Sequence, residues 1–349
     1  MFIAPCNKFP KQTSYPVDTW SYSVTVADVN GDSKSDIIAT SSGTSKLSVF
    51  LNNGNGTFAD RVTYGTGNQP QFAVAADVNG DNKLDIIVAN LWGNSVSVFL
   101  NKGNGTFASQ AMYPAMTAPI SVTAGDVNGD NKVDIIVANY GSHNVGVLLN
   151  NGDGTFTPQV TYPAGNTTNS VVTVDVNGDN KLDIIASNSV SNDVSVFLNN
   201  GDGTFASHVT YPTGNTPRSV TTADVNGDSK ADIIVANMGS NNVRVLLNNG
   251  NGIFTSQITY STGFSPYSVT TADINGDSKL DLVVANAGSN YISVLRGNGN
   301  GTFAAQVTYS TVSSSSMVVA TDVNGDSLVD IIFMSTSSNS VGVLLAACN

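Results

Sequence analysis

The chain has 349 residues and a net charge of -12, and its 26 acidic residues are all Asp, since it contains no Glu. That acidity argues against nucleic acid as a partner, because a phosphate backbone calls for a basic surface. No apolar run approaches the roughly 20 residues that span a bilayer, so no membrane insertion is expected.

The opening Met1-Phe2-Ile3-Ala4-Pro5 is too short for a secretory leader, which a secreted protein would have lost or would carry outside this chain. Beyond it the sequence is periodic. The string Asp-x-Asn-Gly-Asp-x-x-x-Asp starts at Asp28, Asp77, Asp126, Asp175, Asp224, Asp273 and Asp322, always 49 residues on. Seven periods account for almost the whole chain, which overrules the two or three domains its length would otherwise suggest. In the unit beginning at Ser268, Ser268–Ala272 is rich in Val and Thr and Asp281–Ala285 is apolar. Tyr291–Leu295 then alternates, Phe303–Tyr309 closes the unit, and turns rich in Gly, Asn and Ser separate the segments. Four short strands per unit fit a propeller blade. No segment sustains a helical period. The expectation is an all-β, seven-bladed β-propeller filling residues 1–349 as one domain. A β-solenoid is the alternative, but its coils are usually shorter and the chain ends favour a ring.

Those ends are informative. A Phe recurs at one phase, at Phe58, Phe107, Phe156, Phe205, Phe254 and Phe303, and a Tyr follows six residues later, from Tyr64 to Tyr309. The seventh pair, Phe9 and Tyr15, lies at the N-terminus, while the C-terminus stops where its own Phe is due. Residues 8–15 therefore supply the outer strand of the last blade, whose three inner strands come from residues 317–346. Cys6 and Cys348, the only cysteines, fall at adjacent phases of one turn. A bridge between them would lock the ring, by up to about 4–5 kcal/mol on the chain-entropy model, and would belong to an oxidising compartment.

Of the 26 acidic residues, 21 occupy positions 1, 5 and 9 of the seven loops, with Asn at position 3. Alternate positions of a tight loop turn oxygens inward, and a main-chain carbonyl at position 7 adds another. Such hard donors suit calcium, about one ion per blade. Magnesium, which keeps its waters, suits them less; plain Asx turns are the alternative, adequate for one such loop but outweighed by calcium when seven are alike. The candidate ligands are Asp28, Asn30, Asp32, Lys34 and Asp36 in the first loop, and Asp77, Asn79, Asp81, Lys83 and Asp85 in the second. Asp126, Asn128, Asp130, Lys132 and Asp134 follow in the third, then Asp175, Asn177, Asp179, Lys181 and Asp183 in the fourth. The fifth offers Asp224, Asn226, Asp228, Lys230 and Asp232, and the sixth Asp273, Asn275, Asp277, Lys279 and Asp281. Asp322, Asn324, Asp326, Leu328 and Asp330 form the seventh. At position 7 only the carbonyl would serve, which explains why Leu328 can replace Lys. Without a cation the three carboxylates of a loop are expected to repel one another and titrate high. Seven Ca²⁺ would move the formal charge from -12 to about +2.

Asp-Val-Asn-Gly-Asp…Asp-Ile-Ile, combined with Asn-Gly-Asn-Gly-Thr-Phe, resembles the FG-GAP or VCBS-type repeat family, the propeller type also found in integrin α chains. The resemblance covers all seven units. It implies side-chain ligands at positions 1, 3, 5 and 9, and extracellular binding or adhesion, sometimes within a larger protein. Position 6, often Gly in that family, is Ser or Asn here: Ser33, Asn82, Asn131, Asn180, Ser229, Ser278 and Ser327. Asn accepts the left-handed backbone fairly well and Ser less so.

Compared with one another, the units differ in two stretches: the link from the outer strand to the next inner strand, and the link between strands two and three. In a propeller both emerge on one face, and the acidic loops and Gly-Asn-Gly turns emerge on the other. The odd residues of the first face include Trp20, Tyr22, Trp92, Tyr140, His143, Arg218, Tyr267 and Tyr291, with Leu91, Met238 and Phe264 beside them. Exposed amphipathic rings on a rigid face stack on sugars or anchor proteins, although single exposed apolar residues are ordinary. Sequons at Asn55, Asn104, Asn166 and Asn300 are glycosylation acceptors or simply turn chemistry. The expected role is an extracellular, calcium-stabilised recognition or adhesion module for a glycan or protein, with a structural scaffold or assembly unit as the alternative. An enzyme is not expected: His143 and His208, the only histidines, lie far apart in phase and lack partners for acid–base or nucleophilic chemistry.

Overall fold

A computed structural model describes residues 8–348, the side chains of 256 and 257 excepted. Its strands, numbered β1–β28 in chain order, form seven four-stranded antiparallel sheets. The first complete blade runs outward through β2 (Ser21–Ala27), β3 (Asp36–Ser41), β4 (Lys46–Phe50) and β5 (Val62–Gly65). The Asp-Ile-Ile run, Asp-Leu-Val in the sixth unit, opens the second strand of each blade, and β3 and β7 (Asp85–Asn90) are buried along their full length. A strand covered on both faces needs an unbroken apolar run, which is what these β-branched sequences supply.

No single core exists; the apolar mass lies between adjacent blades. Ile38, Leu47 and Val49 of one blade interdigitate with Ala73, Ile86, Val88 and Phe99 of the next, and six further clusters continue the ring. The recurring Tyr and Phe are the rivets of this packing. Tyr15 meets Phe58 edge-on with centroids 5.4 Å apart, and Tyr64–Phe107, Tyr113–Phe156, Tyr162–Phe205, Tyr211–Phe254 and Tyr260–Phe303 repeat the pair. Phe9 against Tyr309, at 4.9 Å, is the seventh. Edge-on aromatic pairs each add about 0.5–1.5 kcal/mol beyond burial.

The ring closes as the register requires. β1 (Lys8–Pro16) pairs antiparallel with β28 (Ser340–Ala347), with Tyr15 opposite Val341, and completes the sheet of β26 (Ser315–Thr321) and β27 (Asp330–Ser335). Lys8 stands opposite Ala347, next to Cys348. The expected bridge partner, Cys6, lies outside the described residues; among those described, no cysteine is free. Two details differ from the sequence reading. One 3₁₀ turn, Met238–Ser240, interrupts the all-strand pattern. Phe303 stands before its strand, in an isolated bridge to Gly297, and β25 begins only at Val307.

Candidate functional site

The molecule presents two faces, and the acidic loops define the first. In the first loop Asp28 Oδ1 accepts the amides of Asn30, Gly31 and Asp32, and Oδ2 accepts that of Ser33 at 2.7 Å. Asn30 Oδ1 takes the Asp32 amide and Asp32 Oδ1 that of Lys34. Position 6 adopts the left-handed backbone in all seven copies, with φ from 61° at Asn82 to 66° at Ser327. Lys34 reaches back to Asp32 at 3.3 Å, and four other loops repeat that pair, an exposed contact worth little.

Position 9 behaves differently. Asp36, Asp85, Asp134, Asp183, Asp232, Asp281 and Asp330 have no exposed surface. Asp36 Oδ2 accepts the Val29 amide at 3.0 Å and Oδ1 the Asn52 amide at 2.8 Å, tying loop to strand, and the same two bonds recur in every blade. Burial first, then repulsion from the other two loop carboxylates, pushes all seven up, Asp330 to about 6. The expectation that all three carboxylates titrate high needs correction. At Asp32, Asp81, Asp130, Asp224 and Asp322 hydrogen bonds outweigh burial and hold the carboxyl low. At Asp32 burial is overcome by Lys34 and Asn30; at Asp224, by the amides of its own loop.

Among the described residues, no three Asp, Glu, His or Cys side chains stand close enough to cage a metal as the loops are drawn up here. Each loop is closed on its own amides. The donor chemistry nonetheless fits a hard cation, since carboxylate and carboxamide oxygens carry two lone pairs each. The position 9 carboxylate is moreover buried with no ammonium or guanidinium paired to it among the described residues, the arrangement that low-dielectric surroundings penalise most.

The second face carries the links. Ser42 N donates to Trp20 O, Leu91 N to Gln69 O and Tyr140 N to Ala118 O, so the two kinds of link lie side by side. At its centre a cavity of about 570 Å³ is lined by Trp20, Tyr22, Leu91, Trp92, Tyr140, Arg218 and Tyr267, among others. Trp20 and Trp92 are 61% and 67% exposed. Beneath them runs a channel of about 290 Å³, lined by inner-strand residues from all seven blades. Six of the eight candidate binding residues therefore converge.

Tyr22, Arg218 and Tyr267 are not link residues as expected. They are the second residues of inner strands β2, β18 (Pro217–Ala223) and β22 (Pro266–Ala272). Their phase also contains Gln71, Ile120, Asn169 and Ser316, which sequence reading passed over. A framework otherwise nearly constant shows six residue types in seven copies there, the signal that would have exposed it.

His143 and Tyr291 do not line the cavity. Tyr291 begins β24 (Tyr291–Leu295) and packs half-buried beside Gly263. His143 does a structural task. Asn94, Asn192, Asn241 and Asn339 sit at its phase with left-handed backbones, each accepting through Oδ1 the amide at the entrance of the next blade. His143 Nδ1 accepts the Thr167 amide in the same way at 2.9 Å, so the ring replaces the Asn oxygen as the clasp between blades. His208 packs on Phe197, with centroids 5.1 Å apart. At the sequons Asn55, Asn104 and Asn300, Oδ1 accepts the hydroxyl of the following Thr at 2.6 Å, as Asp153 and Asp202 do at the same phase, which is turn chemistry.

Comparison with known proteins agrees with this geometry. The profile of the FG-GAP-like repeat matches residues 28–88, 77–137, 126–186, 175–235, 224–284 and 273–333. None of the curated proteins matches the chain. Among solved structures, a lectin from Agrocybe aegerita, described as recognising non-reducing terminal N-acetylglucosamine, is 24% identical, with a TM-score of 0.61 over 85% of this chain and 81% of its own. BBS1N in complex with ARL6DN superposes with a TM-score of 0.70 at 10% identity, covering 99% and 98% of the two chains. A catalytically inactive virginiamycin B lyase from Staphylococcus aureus gives 0.67 at 14% identity, covering 95% and 98%. At these identities the likeness is one of fold, and it spans a lectin, a protein-binding domain and a lyase.

Proposed function

The chain belongs to the family of FG-GAP-like repeats, and from that premise we propose that it is an extracellular recognition or adhesion module, not an enzyme, binding a glycan or protein on the face that carries the links. The observation that carries this reading is the cavity at the channel mouth, where Trp20, Trp92, Tyr22, Tyr140 and Tyr267 meet. Trp20 and Trp92 keep about two-thirds of their surface in water, and amphipathic rings exposed on a rigid frame are the anchors recognition sites use. The lectin and the ARL6-binding propeller support a binding role in general terms. Both histidines serve packing or clasps, which supports the non-enzymatic reading.

Each acidic loop would hold one Ca²⁺ through its position 1, 3 and 5 side chains, the main-chain carbonyl of position 7 and the position 9 carboxylate. The ion would supply the positive charge that the buried carboxylate lacks and fix the loop to its blade. Cys6 and Cys348 would form a bridge across the closing strands in an oxidising compartment. Intact-mass alkylation should then find no free thiol; two free thiols would refute the bridge.

The direct test is a glycan and extracellular-matrix binding screen, run in millimolar calcium and again in chelator. The expected result is a calcium-dependent hit lost in Trp20→Ala or Trp92→Ala while the melting temperature stays unchanged. Silence in both conditions from folded protein would favour the scaffold reading. One observation speaks for that alternative: Val62, Val160, Val209 and Val307, at one phase of the outer strands, are all exposed. A scaffold would self-associate through them without ligand.

A further inference from the structure

We infer that the channel mouth recognises a carboxylated pyranose, a uronic-acid type of sugar, with Arg218 as the carboxylate anchor; this rests on the binding-module reading and names its ligand class. Among the described residues lining either the mouth or the channel, Arg218 is the sole charged side chain. Its Nη1 donates to Asn169 Oδ1 and its Nη2 to the Tyr267 hydroxyl. Its Cζ also lies 4.4 Å from the Tyr267 ring centroid. Two of the five guanidinium donors are thus spent on holding the group still, and no carboxylate among the described residues pairs with it.

A fixed guanidinium fork without a counter-ion matches a carboxylate in two-pronged fashion and loses little entropy on binding it. The long-range field agrees. Twenty-one of the 26 Asp lie in the loops of the opposite face. On the link face Asp18 is paired with Arg61 at 2.8 Å and Lys46 at 3.5 Å, and Asp193 accepts the Asn188 carboxamide at 2.8 Å. Asp193 keeps its charge on this face, but it does not line the mouth or the channel, whose own charge is that of Arg218.

The remaining lining completes a sugar site. Trp20 and Trp92 offer flat apolar faces for the C–H side of a pyranose, while Gln71 and Tyr22 offer polar atoms for its hydroxyls. The volume of about 570 Å³ lies within the usual range for small-ligand pockets. A cup over the channel axis takes a compact ring end-on and suits an extended acidic peptide poorly.

Trp20 and Trp92 are the only tryptophans, so intrinsic fluorescence reads this site directly. The experiment titrates the intact protein, in calcium, with glucuronate and separately with glucose. Glucuronate should change the emission at concentrations about tenfold below glucose or lower. Arg218→Gln, with an unchanged near-ultraviolet circular dichroism spectrum, should abolish that preference while leaving the weak response to glucose. If Arg218→Gln does not fold, Arg218→Lys keeps the charge without the fork and should retain only part of the preference. Equal titration by both sugars, or a preference that survives in the variant, would overturn the anion site and leave the binding-module reading standing. No response to either sugar, with a tryptophan-dependent hit elsewhere in the glycan and matrix screen, would do the same. Silence in both experiments would sink the two together.

Discussion

The two faces of this ring were built under opposite rules. On the loop face seven copies of one sequence make one set of bonds: position 1 gathers the loop amides, and position 9 is buried with two main-chain donors in every blade. On the link face the same backbone positions carry whatever residue the local surface wants. Trp20, Gln69, Ala118, Thr167, Thr216 and Ser265 share one left-handed position, with φ between 52° and 66°. A left-handed backbone costs an ordinary residue about 1 kcal/mol or more, and the frame tolerates that at a Trp because hydrogen bonds fix the link. Trp20 N is held by Asn339 Oδ1 and Trp20 O by the Ser42 amide. Uniformity on one face gives the rigidity that lets the other face vary.

Removing calcium is the largest perturbation that separates them. If each loop holds an ion, a site saturated at about 1,000 times its dissociation constant contributes roughly 4 kcal/mol, and seven such sites dominate the stability of the ring. Excess chelator should then lower the melting temperature by tens of degrees in a calorimetric scan, and should abolish ligand binding only indirectly, as the frame loosens. An unchanged melt would show that the amide networks suffice and that the loops are Asx turns alone.

Acidification sharpens the same comparison with a smaller effect. The seven position 9 carboxyls titrate above their ordinary value of 3.8, Asp330 at about 6, because burial and the neighbouring carboxylates disfavour the charge. A carboxyl raised in the folded state destabilises at neutral pH and releases that penalty as pH falls from about 6 towards 4. In chelator the protein should therefore melt a few degrees higher at pH 5 than at pH 7.5. Below pH 4 the depressed carboxyls, such as Asp32 and Asp81, lose their hydrogen-bonded advantage and the trend reverses. In saturating calcium the slope between pH 7.5 and 5 should have the opposite sign, since protons would compete with the ion. The same slope with and without calcium would remove position 9 from the ligand set.

The loop face was almost wholly legible in the sequence because each of its rules is written seven times. A period of 49 residues gives blade number, strand order and even closure, since Phe9 and Tyr15 display the phase that β1 later occupies. What stayed hidden depends on direction, which a period does not encode. Asp36 and Asp32 look alike in sequence, yet one faces the strand amides and the other the solvent. Tyr22, Arg218 and Tyr267 read as link residues because they differ between units. They differ because, one residue into a strand, they point into the channel, where each blade contributes to a single shared surface and repetition brings no advantage.

His143 gives the finest test of how the two rules meet, because it is a variable residue performing a framework task. Its Nδ1 accepts the Thr167 amide where Asn94, Asn192, Asn241 and Asn339 use an oxygen. The left-handed backbone at φ 56° suits Asn better than most residues. His143→Asn should therefore keep the clasp and change stability by less than about 1 kcal/mol, in the stabilising direction. His143→Ala leaves the Thr167 amide without its acceptor and should cost about 1–2 kcal/mol, read as a shift in the chemical-denaturation midpoint. Equal loss in both substitutions would mean that the imidazole is held by packing and not by the clasp.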